Sequence, residues 1–212
     1  VHAAGYRVAD ISSALDRFNQ RSFFARLPND GPSLLGLAGM IDFLSKYFGE
    51  KTFKDLDIPF AVTAVDVESK QEFIIRDGLV RDAVLATIAI PGVFPPKRME
   101  KANLVDGGIL DPVPVAVARW LAPKLPVIAV CLTPTPEKWA EMPLIQPPVS
   151  IPIPGPILEQ IARLRISQAL KLFIESMDIT MHMVAEARMQ LEKPEVIIRP
   201  NVHHIGILDN VE

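Results

Sequence analysis

With a single cysteine, Cys131, in 212 residues, the chain cannot hold an internal disulfide framework, which favours an intracellular setting. That cysteine lies within VIAVCL, where a small buried hydrophobe is the expected role. Aromatic side chains are scarce at 7%, and basic residues are outnumbered by acidic ones, 22 to 25. No Lys/Arg cluster interleaved with aromatics occurs, so the sequence excludes a nucleic-acid partner of the usual electrostatic kind. The most apolar uncharged run, Met142 to Leu158, contains six prolines and could not satisfy its backbone as a membrane-spanning helix. No repeat of fixed period is present, and none of these patterns fixes an oligomeric state.

Histidines are few, and each is poorly placed for a triad. His2 opens the chain, His182 falls inside a long helical pattern, and His203 and His204 are adjacent, so in a strand they would point to opposite faces. No Cys/His/Asp spacing is that of a metal site, and neither a metal nor a cofactor is expected. A Gly-x-Ser-x-Gly turn is also missing. The nearest imitation, Gly31-Pro32-Ser33-Leu34-Leu35-Gly36, has the wrong glycine spacing and no strand before it, so Ser33 is expected to be a helix N-cap.

At this length, 49% hydrophobic content supports one domain or most of one. Val8 to Asn19, Ser33 to Phe48 and Leu79 to Ala89 have helical spacing. Phe60 to Val67 and Glu72 to Arg76 read as strands joined by a turn at Glu68-Ser69-Lys70. Further on come a short strand at Leu104-Val105, a helix over Pro112 to Leu121, an apolar strand over Val127 to Leu132 and a last strand over Val196 to Arg199. This alternation predicts an α/β protein with a mostly parallel central sheet.

Residues 133–156 hold eight prolines and must be a loop, either a stiffened linker over apolar surface or a lipid-contacting lid. Ile157 to Leu191 then reads as one long helical stretch or two end-to-end helices, expected to be largely buried. Its Met177, Met181, Met183 and Met189 are gap fillers in one reading and the lining of an acyl-chain cavity in another.

The most informative stretch is Leu104 to Val115, LVDGGILDPVPV. It places Asp106 where an apolar strand ends, lets Gly107 and Gly108 turn the backbone with no Cβ in the way, and offers Asp111-Pro112 as N-cap and first helical residue. The carboxyl edge of a strand is where catalytic groups gather in open α/β sheets, yet an Asp in a tight turn also caps its own loop. Both readings stay open on these residues alone. Asp66, at the end of another strand, is expected to fix the turn that follows it.

Upstream of Asp106 lies ATIAIPGVFPP, Ala86 to Pro96. Together with LVDGGILDPVPV, IPFAVTAVDVESKQ, VRDAVLAT and the closing VIIRPNVHHIGILD, this resembles the patatin-like phospholipases along nearly the whole chain. The resemblance implies a three-layer α/β/α build and hydrolysis of lipid or other carboxylic esters by a Ser-Asp dyad. Asp106 matches the dyad aspartate within an Asp-Gly-Gly motif, Asp106, Gly107 and Gly108. No cofactor is implied, and a cytoplasmic protein with peripheral membrane contact is expected. The family's nucleophile elbow and Gly-rich oxyanion loop would lie before Val1, so the chain is expected to be a single domain, 1–212, incomplete at both ends and inactive alone. A non-catalytic binding or regulatory protein of the same architecture is the alternative. Where the family usually carries Asn, this chain has Asp111. Its charge would raise the proton affinity of Asp106 unless backbone N–H groups compensate it as an N-cap.

Overall fold

The computed structural model describes residues 1–15, 24–28, 30–133, 135 and 165–202. Helix α1 spans Val8–Leu15 and α2 spans Ala38–Phe48. A four-stranded sheet follows, built from β1 (Val62–Asp66), β2 (Gln71–Ile75), β3 (Lys97–Met99) and β4 (Ala102–Asp106), with α3 (Val80–Thr87) between β2 and β3. Then come α4 (Val115–Leu121), β5 (Ile128–Val130), the long α5 (Arg165–Glu192) and β6 (Val196–Ile198).

The larger sheet has the order β2-β1-β4-β3 and every neighbouring pair in it is antiparallel. This corrects the expected mostly parallel central sheet, although the α/β class stands. The reason is connection length. β1 and β2 are joined by Val67 to Lys70, and β3 and β4 by Glu100-Lys101, spans too short for the crossover a parallel pair needs. Lys70 and Glu100 take φ of 60° and 51°, as tight reversals demand. Among the described residues, parallel pairing occurs only between β5 and β6, whose register sets Ile128 against Val196 and Val130 against Ile198.

β1 is central and buried along its whole length, which is why it reads as apolar on both faces. One core gathers Val62 and Ala64 of β1, Leu104 of β4, Leu44 and Phe48 of α2, and Val80, Ala83 and Leu85 of α3. A second, smaller cluster joins Val113, Val115, Val127, Ala129 and Cys131 to Ala185 and Met189 of α5. Cys131 is thus the buried apolar filler that its surroundings suggested.

Two helix expectations change here, and one strand is added. The helix expected from Ser33 begins at Ala38 instead. The Leu34 and Leu35 N–H groups are drawn to the carbonyls of Gly92 and Val93, at 3.0 and 2.9 Å, and the Ser33 hydroxyl donates to Gly31 O rather than capping. The helix expected from Pro112 starts only at Val115, because Pro114 disfavours helical backbone at Val113 and Pro112 does the same at Asp111. Strand β3 was not anticipated, since Lys97-Arg98-Met99 carries too little alternation to signal one.

α5 is not largely buried. Leu172, Phe173, Ile179, Met183 and Leu191 are all exposed, and its buried face is carried by His182, Ala185 and Met189. No helix among the described residues is long and apolar enough to cross a membrane. The expected loop over 133–156 falls almost wholly outside the described residues, as do the end of the first helix, the start of the long helix before Arg165, and His203 and His204.

Candidate active site

β4 ends on Asp106, opposite Ala64 of β1. The Asp106 N–H donates to Ala89 O at 3.0 Å, fastening the strand end to the loop after α3. The chain then makes a one-turn 3-10 helix, Gly107–Ile109, closed by the Leu110 and Asp111 N–H groups on Gly107 O at 3.1 and 2.9 Å. Within this turn the Gly108 N–H donates to Asp106 Oδ1 at 2.7 Å and fixes the carboxylate's orientation.

Gly107 and Gly108 adopt ordinary negative-φ backbone, so what they supply is room. A Cβ on Gly107 would run into the carbonyl and hydroxyl oxygens of Thr63 in buried β1, and one on Gly108 would come within 2.7 Å of the Met181 methyl. The first obstacle is backbone and cannot give way. Gly107→Ala is therefore expected to destabilise the chain by about 1 to 3 kcal/mol, read as a lower urea midpoint, and an unchanged midpoint would contradict this close approach.

Asp106 lines a cavity of about 350 Å³ together with Thr63, Thr87, Gly108, Asp111 and Met181. No serine lies among the lining residues. Burial raises the Asp106 pKa above the ordinary carboxylate range, while the Gly108 N–H pulls it partly back. An acid so placed accepts a proton more readily than a solvated one while staying in contact with a cavity. Of the four methionines, Met181 lines this cavity, Met189 fills the smaller core and Met183 faces solvent.

Asp111 is not the N-cap it was expected to be. It is 2% exposed, and neither carboxylate oxygen has a hydrogen-bond donor among the described residues. The Val113 N–H lowers its proton affinity from outside hydrogen-bond geometry. The nearest cation is Arg188 of α5, whose Nη1 stands 3.7 Å from Oδ2. Burial pushes the Asp111 pKa up to about 6 against the pull of Arg188, with Glu192 and Glu72 adding to the rise. The raised affinity of Asp106 comes from its own burial and not from Asp111.

Asp66 has the role its position suggested. It accepts the N–H groups of Glu68, Ser69 and Asn103, at 3.3, 3.1 and 3.0 Å, and the Ser69 side chain first, then these N–H groups with Asn103 leading, lower its pKa to about 2. His182 is buried on α5, and that burial lowers its pKa. Among the described residues no three His, Cys, Asp or Glu side chains come together as a metal set. Thr63 and Arg188 were missed from the sequence. Arg188 was within reach of it, since it follows Met181 by seven residues and shares its side of the helix.

The family model for patatin-like phospholipase matches residues 3–119, a span that includes the Asp-Gly-Gly turn and the whole four-stranded sheet. An uncharacterized NTE family protein of Mycobacterium tuberculosis is 33% identical over 119 residues, covering 55% of this chain and 32% of the relative. A counterpart in Mycobacterium bovis matches to the same extent. Another uncharacterized NTE family protein of M. tuberculosis is 36% identical over 86 residues, 40% of this chain and 15% of its own length. The chain thus spans about a third or less of the curated relatives it matches.

Proposed function

Because the chain belongs to the patatin-like phospholipase family, we propose that it carries the aspartate half of a Ser-Asp dyad that hydrolyses carboxylic esters of lipids. Asp106 carries this reading: a carboxylate at a strand end, oriented by one backbone N–H, raised in proton affinity by burial and lining a cavity. The serine and the oxyanion donors are supplied, in this reading, by polypeptide outside these 212 residues, within a complete protein of three-layer build.

A serine hydroxyl is a weak nucleophile at neutral pH and needs a positioned base. Asp106 takes its proton as the oxygen attacks the ester carbonyl, then gives that proton to the departing alcohol. In the second half the same carboxylate deprotonates water, which attacks the acyl-serine and returns the proton to the serine oxygen. Nothing in this scheme calls for a cofactor. Peripheral contact with a lipid surface belongs to the reading and is supported by the exposed Leu172, Phe173, Ile179 and Met183 of α5.

A second reading, a binding protein that keeps the architecture without the dyad, is favoured by the lack of any Gly-x-Ser-x-Gly within the 212 residues. Fluorophosphonate labelling of the longer protein separates the two. Covalent labelling is expected for the hydrolase, and a protein that stays unlabelled is a binder. The 212-residue chain alone is expected to show no turnover of a p-nitrophenyl ester, because loss of even one oxyanion donor costs about 3 to 4 kcal/mol of barrier stabilisation.

A further inference from the structure

We propose that Asp111 is a positioning residue: paired with Arg188, it clamps the long helix α5 onto the Asp-Gly-Gly turn, so that the setting of Asp106 depends on whether Asp111 holds a proton. The functional meaning of this clamp rests on the hydrolase reading; its existence does not.

Four observations converge on it. Asp111 closes the turn that presents Asp106, its N–H donating to Gly107 O at 2.9 Å. α5 lies against that same turn, with the Met181 methyl over Gly108, the residue whose N–H orients the Asp106 carboxylate. Arg188, two helical turns beyond Met181, attracts Asp111 and reaches its Oδ2 at 3.7 Å. Arg188 in turn donates to Glu192 at 2.8 Å, and Glu192 accepts the Ala116 N–H at 2.7 Å in the first turn of α4. One chain of polar contacts therefore runs from the catalytic turn through α5 to α4.

The groups facing Asp111 set its sensitivity. Among the described residues Arg188 and Glu192 act on it from α5 and Glu72 from β2, while Arg119 of α4 is paired with Glu195. Among the described residues, two acids and one base surround this buried acid and no donor stands in hydrogen-bond geometry to either oxygen, which leaves it poised near neutrality. Protonation removes the attraction to Arg188 and leaves α5 held there by apolar packing, the Met181 methyl over Gly108 and Ala185 and Met189 against Val113 and Val115. In some proteins an ion pair with a buried member is retained for arrangement rather than stability, and that is the role assigned to this one.

The test uses the 212-residue chain with ¹³C-methyl methionine and needs no hydrolysis, so failure of the clamp and failure of the hydrolase reading are separable. Between pH 4.5 and 8 the Met181 methyl signal is expected to move in one step with a midpoint near 6. Asp106→Asn should keep that step, and Asp111→Asn should abolish it and hold the signal at its low-pH position. Should Asp111→Asn fail to fold, two other variants decide. Arg188→Met, which leaves no pair for protonation to break, is expected to abolish the step, and Glu192→Gln to move its midpoint down. A step that survives Asp111→Asn or Arg188→Met, one that vanishes in Asp106→Asn, a wild-type signal without a step, or a Glu192→Gln midpoint no lower than that of the wild type would each overturn the proposal.

Discussion

Asp106→Asn in the longer protein is expected to lower kcat for ester hydrolysis by about 10²- to 10⁴-fold, the span a positioned general base contributes. Asn has the shape of Asp and can still accept the Gly108 N–H through its Oδ1, so the turn keeps its geometry. What disappears is the capacity to take a proton, and KM should change little. Burial lifts the Asp106 pKa, so the basic form is lost as pH falls through a value above the ordinary carboxylate range. The wild-type protein should therefore lose kcat/KM on the acid side earlier than a solvated carboxylate would dictate. Steady-state rates on a p-nitrophenyl ester across pH check both points. An Asn variant of undiminished kcat would remove Asp106 from the mechanism.

Asp111→Asn is expected to stabilise the 212-residue chain at pH 8, by about 3 kcal/mol at most, an order-of-magnitude figure for a carboxyl moved from 3.8 to about 6. Below the ordinary carboxylate pKa, folded and unfolded chains both hold the proton and the residue costs nothing. Between that value and about 6 the unfolded chain has released the proton while the folded one retains it, so stability declines as pH rises. Above about 6 the ionised group is buried in the fold and the penalty is complete. Urea denaturation at pH 8 and pH 4 gives the comparison, with the variant ahead at the first and level with wild type at the second. A variant weaker at pH 8 would mean that the attraction of Arg188 outweighs the cost of burial. A charge that lowers stability while tying a helix to the Asp-Gly-Gly turn fits a positioning role better than a structural one.

Much of this was legible in order but not in space. The α/β alternation, the turn after Asp66 and the strand that ends on Asp106 follow from short-range pattern, because apolar runs bounded by Gly, Asp and Pro constrain local backbone strongly. Strand direction did not follow, although the four residues linking β1 to β2 already implied an antiparallel pair. The start of α4 was misplaced because Asp111-Pro112 has the form of a capped helix. The second proline two residues on, Pro114, was the decisive signal. The burial of α5 was overestimated because apolar spacing shows which side chains are greasy and not which of them meet a partner. The pairing of Asp111 with Arg188 spans 77 residues, and no local pattern encodes a contact of that separation.

The row formed by Ile128, Val130, Val196 and Ile198 has a consequence for the behaviour of the chain in solution. These four β-branched side chains lie in register across β5 and β6, and all are turned toward water. Sulfate and similar salts, being excluded from protein surfaces, raise the free energy of such a row more than that of a charged surface. A net charge of only −3 supplies little opposing repulsion. Salting-out is thus expected to act on this row together with the exposed apolar side chains of α5.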